Sequence, residues 1–154
     1  MNSVVKSVML AATLGVAGSL GLAQDWEGPY AGVFGAYTPS PSLGAIGAWA
    51  GYSFPLGDNA YAGVEGDGLY FPTLDRFIAS GSGRLAYAVS PDVLIHGKLG
   101  LAVNDLGAVG WLAGAGGQVA VGSGWSLRGD VDRYQTFGTG AVTWIAKGGA
   151  VYDF

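Results

Sequence analysis

The residues that could do chemistry are few, and they are spaced in twos. Acids come as Glu65-x-Asp67 and Asp130-x-Asp132; bases come as Arg84, Lys98, Arg128 and Lys147. The chain has one histidine, His96, with Ser80 and Ser82 upstream of it. A histidine with a serine and a carboxylate is the set that nucleophilic catalysis needs. Here the residue two after His96 is Lys98, not a serine, and a catalytic group must stand within reach of its substrate. A hydrogen-bonding histidine in an interior is therefore expected. Metal binding is weaker still, with no cysteine, one histidine and no ligand spacing, so neither a metal nor a cofactor is expected.

A spacing of two is the signature of a strand, where alternate side chains share a face. From Arg76 on, Ile78, Ser80, Ser82, Arg84 and Ala86 share one face, and Phe77, Ala79, Leu85, Tyr87 and Val89 the other. His96, Lys98 and Ala102 alternate with Val93, Ile95, Leu99, Leu101 and Val103. Ser126, Arg128, Asp130 and Asp132 alternate with Trp125, Leu127 and Val131. Thr143, Lys147 and Asp153 alternate with Val142, Trp144, Ala146, Ala150, Tyr152 and Phe154. One face is apolar throughout; the other carries the charge.

Breakers such as Pro55-Leu56-Gly57-Asp58-Asn59 and Ser90-Pro91-Asp92 divide the chain into eight such segments. They are predicted over Pro29–Tyr37, Ala45–Phe54, Ala60–Phe71, Arg76–Val89, Val93–Val103, Val109–Val121, Trp125–Gln135 and Ala141–Phe154. The first, second and sixth are so rich in glycine and alanine that their faces cannot be assigned from the sequence.

Only 12% of residues are charged, against ~25% in ordinary soluble domains, and mean hydropathy is positive. Yet no segment after the first 23 residues reads as a membrane helix. The best run, Leu106 to Val121, is interrupted by Gly107, Gly110, Gly114, Gly116 and Gly117, each costing a helix about 1 kcal/mol relative to alanine. A closed barrel resolves the conflict, because lipid-facing and interior residues alternate and no edge is left unpaired. The fold class expected is all-β: an eight-stranded antiparallel up-and-down transmembrane β-barrel. The acidic balance, −4 in the whole sequence, argues against nucleic acid, which needs a basic face.

The ends agree. Lys6 followed by an apolar stretch to Ala23, with Gly21-Leu22-Ala23 as a small-x-small site, reads as a cleaved signal peptide over residues 1–23. Residues 24–154 are then the barrel domain. The last residues alternate and end on Tyr152 and Phe154, apolar rings that suit a membrane–water interface. Tyr87, Trp111, Trp125 and Trp144 are expected in the same aromatic girdles. An even strand count puts both ends on one side, expected to be periplasmic.

In this setting the charged face becomes a lumen. Glu65, Asp67, Asp130 and Asp132 balance Arg84, Lys98, Arg128 and Lys147. Eight strands leave an interior that side chains just fill, and buried charge demands pairing. An ion-pair network closing the barrel is therefore favoured over a narrow pore for small solutes. Asp25, Glu27, Asp58, Asp75, Asp92, Asp105 and Asp153 against Arg76 and Arg133 are expected outside it. A soluble periplasmic binding barrel would need the opposite polarity. Arg84→Leu or Asp130→Leu is expected to damage a lumen network and to spare a soluble barrel's surface, which a denaturation midpoint would distinguish.

Several fragments, in order, resemble the eight-stranded porin-like outer-membrane proteins, the opacity-type surface antigens with an OmpA-like transmembrane barrel. They are Trp26-x-Gly28-x-Tyr30-x-Gly32, Gly83-Arg84-Leu85-Ala86-Tyr87-Ala88, Gly97-Lys98-Leu99-Gly100-Leu101-Ala102, and Gly110-Trp111 with Trp125-Ser126-Leu127-Arg128-Gly129-Asp130. The resemblance covers nearly all of the chain after the signal. It implies an outer-membrane barrel of a Gram-negative cell envelope, in contact with outer-membrane lipid and with no single activity. It also implies barrel-assembly machinery and a periplasmic chaperone as partners, with Tyr152 and Phe154 as the C-terminal assembly signal. Some barrels of this size are lipid-modifying enzymes; His96 falls early in its strand, away from the outer rim where such chemistry sits, so no enzyme is expected. The outer connections are short, which leaves little surface for adhesion. A monomer is expected.

Overall fold

The computed structural model describes residues 25–154. The predicted signal peptide, 1–23, lies outside the described residues. Eight strands follow: β1 (Gly28–Pro39), β2 (Ser42–Pro55), β3 (Ala60–Phe71), β4 (Arg76–Ser90), β5 (Val93–Asn104), β6 (Val109–Gly122), β7 (Trp125–Thr136) and β8 (Val142–Asp153). Each pairs antiparallel with its sequence neighbours, and β1 pairs with β8, so the sheet closes into a barrel. Phe154 donates its backbone N–H to the Pro29 carbonyl, 3.0 Å, at the seam. Closure matters because each strand then has two neighbours and no edge is exposed.

Observed strand ends lie within three residues of those predicted. The largest difference is at β1 and β2, which run to Pro39 and from Ser42. The loop expected over residues 38–42 shrinks to Ser40-Pro41, because Pro39 sits at a strand terminus opposite Ser42, where a missing N–H is tolerated. Connections are short at both ends of the barrel, none longer than the five residues between β7 and β8. The β6–β7 hairpin is the tightest kind: Ser123 (φ 56°) and Gly124 (φ 80°) are both left-handed, which matches the twist of the strands they join.

The faces that glycine and alanine hid are now defined. Tyr30, Phe34 and Thr38 of β1, Ala45, Trp49 and Ser53 of β2, and Leu112, Gln118 and Ala120 of β6 point inward and are buried. The outer wall presents Val33, Ile46, Val64, Leu85, Leu99, Leu101, Leu127 and Val131, all exposed.

The interior is layered. At the Phe154 end, Trp26, Leu94 and Ala120 pack with Tyr61, Ala86 and Ala88. At the opposite end, Leu69, Phe71, Leu112 and Ile145 pack with Leu43, Ala45, Ile78 and Ala102. The charged residues lie between these two apolar layers.

Candidate functional site

The central charge is Lys98. Its Nζ lies 3.0 Å from Asp132, 3.2 Å from Asp130, 3.4 Å from Glu65 and 3.7 Å from Asp67. β3 and β7 each present two acids at consecutive inward positions, and β5 delivers the lysine between them. The ammonium thus occupies the place a bound cation would take among four carboxylates.

Two further cations complete the cluster. Arg128 forks onto Glu65 through both terminal nitrogens and reaches Asp130 at 2.7 Å, the bidentate geometry that guanidinium favours. Its guanidinium also stacks 4.6 Å from the Trp49 ring centroid. Lys147 bridges Asp67 at 2.6 Å and Asp132 at 2.7 Å, and donates to the Tyr134 hydroxyl at 3.0 Å. Tyr30 donates to Glu65 and Ser80 to Asp67, both at 2.6 Å. Asp132 is held by charge alone: its oxygens have no aligned hydrogen-bond donor, although two ammonium groups adjoin it.

Arg84 is different. It meets no carboxylate, and instead donates to His96 Nδ1 and to Gln118, each at 3.2 Å. A guanidinium can only donate, so Nδ1 of His96 accepts. The proton of the neutral ring is then on Nε2, which donates to Asp130 at 2.9 Å. Gln118 in turn donates to Ser126 at 2.7 Å, and both reach Asp153 at 3.5 Å. Asp153, expected outside the lumen, is half-buried at its rim.

The structure therefore brings seven of the eight charged candidates (Glu65, Asp67, Lys98, Arg128, Asp130, Asp132 and Lys147) into one ion-paired cluster and joins Arg84 to it through His96. Four acids face four bases, with side chains of Lys98, Arg128 and Asp130 fully buried. Sequence reading missed the neutral partners Tyr30, Gln118, Ser126 and Tyr134. Of these, Ser126 and Tyr134 were detectable, since both share the inward parity of Arg128 on β7; Tyr30 and Gln118 lie on glycine-rich strands with no polarity signal.

Glycine makes the room. Gly114 and Gly116 of β6 stand opposite Asp132 and Asp130 of β7, and a Cβ at either would collide with the facing carboxylate oxygen. Large residues on both strands could not share this interior.

The aromatic candidates lie on the outer wall at two levels. Tyr87, Trp125, Tyr152 and Phe154 are at the Phe154 end; Trp111 and Trp144 are at the opposite end. Phe154 is 74% exposed and packs edge-on against Tyr152, which packs against Trp125, each pair 5.1 Å between centroids. Tyr52 and Phe54 extend the first level, and Tyr70 and Phe77 the second.

This architecture has known counterparts. The chain is similar in structure to a de novo designed transmembrane β-barrel (TM-score 0.62, 16% identity, 86% of this chain and 100% of that one). It is also similar to the N-terminal barrel domain of OprF from Pseudomonas aeruginosa (0.64, 14%, 83% and 98%). A third is Ail, the attachment invasion locus protein of Yersinia pestis, solved with the heparin analogue sucrose octasulfate (0.61, 13%, 83% and 97%). No protein-family model matches the chain, and no curated protein matches it. The likeness is one of fold: this is an eight-stranded transmembrane-type β-barrel, of the kind seen in small outer-membrane proteins.

Proposed function

We propose that this chain is an integral outer-membrane protein with a structural, porin-like role and a lumen closed by its own side chains. One observation carries the reading: the polarity of the barrel is inverted. Acids, bases, His96 and Gln118 are buried, while Leu85, Leu99, Leu101, Val33 and Ile46 stand exposed around the wall. Monomeric soluble proteins rarely expose contiguous apolar patches beyond a few hundred Å²; hydrocarbon is the environment that such a wall suits.

The filled interior supports a plug. A solute entering from either end meets an apolar layer before it meets the ion-paired cluster, and each acid of that cluster already has a cation beside it. The short connections support neither an adhesin nor a capping surface. His96 supports no catalytic role, since its side chain is fully buried and engaged by Asp130 and Arg84. The N-terminal signal of residues 1–23 would be cleaved on export, and Tyr152 and Phe154 would be read by barrel-assembly machinery after escort by a periplasmic chaperone. The barrel would act as a monomer with the Phe154 end in the periplasm.

Two measurements test this. The unboiled protein is expected in the outer-membrane fraction with a shifted mobility in detergent gels; a soluble, unshifted protein overturns the membrane reading. In planar bilayers the purified barrel is expected to pass no steady current, whereas sustained single-channel steps at neutral pH overturn the plug.

A further inference from the structure

The lumen absorbs every inward-facing charge of β7, and leaves one outward. Arg133 has the odd parity of Leu127 and Val131, so it lies on the apolar outer wall. It is three residues from the end of β7, roughly 10 Å along the strand at ~3.3 Å per residue. Trp144 of β8 is directly opposite it, and Trp111 of β6 lies diagonally on its other side, opposite Gln135. The guanidinium stacks 4.9 Å from the Trp111 ring centroid. Among the described residues, Arg133 is the one cation with neither a carboxylate nor a hydrogen-bond acceptor: Arg76, Lys98, Arg128 and Lys147 have acids, and Arg84 has His96 and Gln118. Gln135, on the same face, also makes no side-chain hydrogen bond.

An arginine keeps its charge in any protein environment. Its five N–H donors, faced to a membrane wall, need acceptors that the protein does not supply. At the aromatic level the neighbouring medium is headgroups, whose anionic groups are phosphates, and guanidinium recognises phosphate with a two-pronged donor set. The Trp111 ring holds the fork in place, and the Gln135 amide adds a donor beside it. We propose that Arg133, Gln135, Trp111 and Trp144 form a binding site for the phosphate of a lipid headgroup in the leaflet at the end opposite Phe154. The inference rests on the membrane reading above. It gives the barrel a fixed depth and a preferred lipid on its β6–β8 side.

The test uses the full barrel in detergent, titrated with phosphatidic acid and followed by native mass spectrometry. One phosphatidic acid is expected to be retained, with phosphatidylcholine, whose phosphate is neutralised by its own cation, held more weakly. Arg133→Gln is expected to weaken retention at least roughly tenfold, the scale of one lost hydrogen bond to a charged group. Trp111→Leu, which removes the stack, is expected to weaken it several-fold, and serves if the first variant does not fold. Arg76→Gln, at the rim and paired with Asp105, should leave it unchanged. Equal retention by wild type and both wall variants overturns the site. Displacement of the lipid by inorganic phosphate at matching concentration overturns the lipid assignment in favour of free phosphate. A protein that forms no shifted, detergent-stable barrel fails at the earlier reading, which is a separate result.

Discussion

Lys98→Met is expected to destabilise the barrel by about 3–5 kcal/mol, the cost of deleting one partner of a buried ion pair. The expectation comes from what the ammonium leaves behind. Asp130, Asp132, Glu65 and Asp67 all lie within 4 Å of its Nζ. Arg128 and Lys147 would remain, on opposite flanks of the cluster, and an acid-rich centre would have to be hydrated or protonated. Methionine conserves the volume, so the loss isolates charge. Urea unfolding of barrel inserted in phosphatidylcholine vesicles, followed by gel mobility, measures it. Adding Asp132→Asn to Lys98→Met is expected to recover part of the loss by restoring the balance of charge. The rim pair Arg76–Asp105 is the contrast. It spans 3.6 Å with side chains 43% and 35% exposed, and an exposed pair contributes about 0–1 kcal/mol. If Lys98→Met unfolds at the same midpoint as Arg76→Gln, the network is not what holds the lumen together.

Gly116→Val is expected to be as damaging, through volume rather than charge. A Cβ at Gly116 would meet the Asp130 carboxylate and the Gly129 carbonyl of the neighbouring strand. Overpacking alone costs about 1–3 kcal/mol. Asp130 is also the acid that takes Arg128, His96 and Lys98, and hydrogen bonds to charged groups contribute about 1.5–3 kcal/mol each. Together these are comparable to the total stability of many domains, about 5–15 kcal/mol. The variant is expected to refold to the shifted gel form in low yield. Gly148→Val tests the same substitution on the outer face, where an added Cβ meets nothing within 4 Å, and should refold normally. Equal yields for the two would mean that the interior has slack that the geometry denies.

The two results address one point from opposite sides. If both hold, the lumen has neither spare charge nor spare volume, and an eight-stranded barrel built this way has little room for a transported solute.

The sequence by itself determined the strand count, the breakers and the polarity of most faces. Phe154 was readable as the end of a wall-facing series with Trp144 and Tyr152, and Glu65, Asp67, Lys98 and Arg128 as inward residues. These properties are local: side-chain direction alternates residue by residue along a strand, and turns are set by proline, glycine and asparagine within a few positions. Only the closed structure decided who meets whom. Glu65 and Arg128 are 63 residues apart and Asp67 and Lys147 are 80 apart, yet closure sets them across a narrow lumen. No periodicity encodes that distance, because it depends on strand stagger and curvature around the whole barrel. Closure also separated Arg84 from the acids, layered Leu69, Leu112 and Ile145 above the charge, and settled the faces of β1, β2 and β6, where small side chains carry no polarity to read. It also set Arg133, readable as an outside residue, against the Trp111 ring of the neighbouring strand.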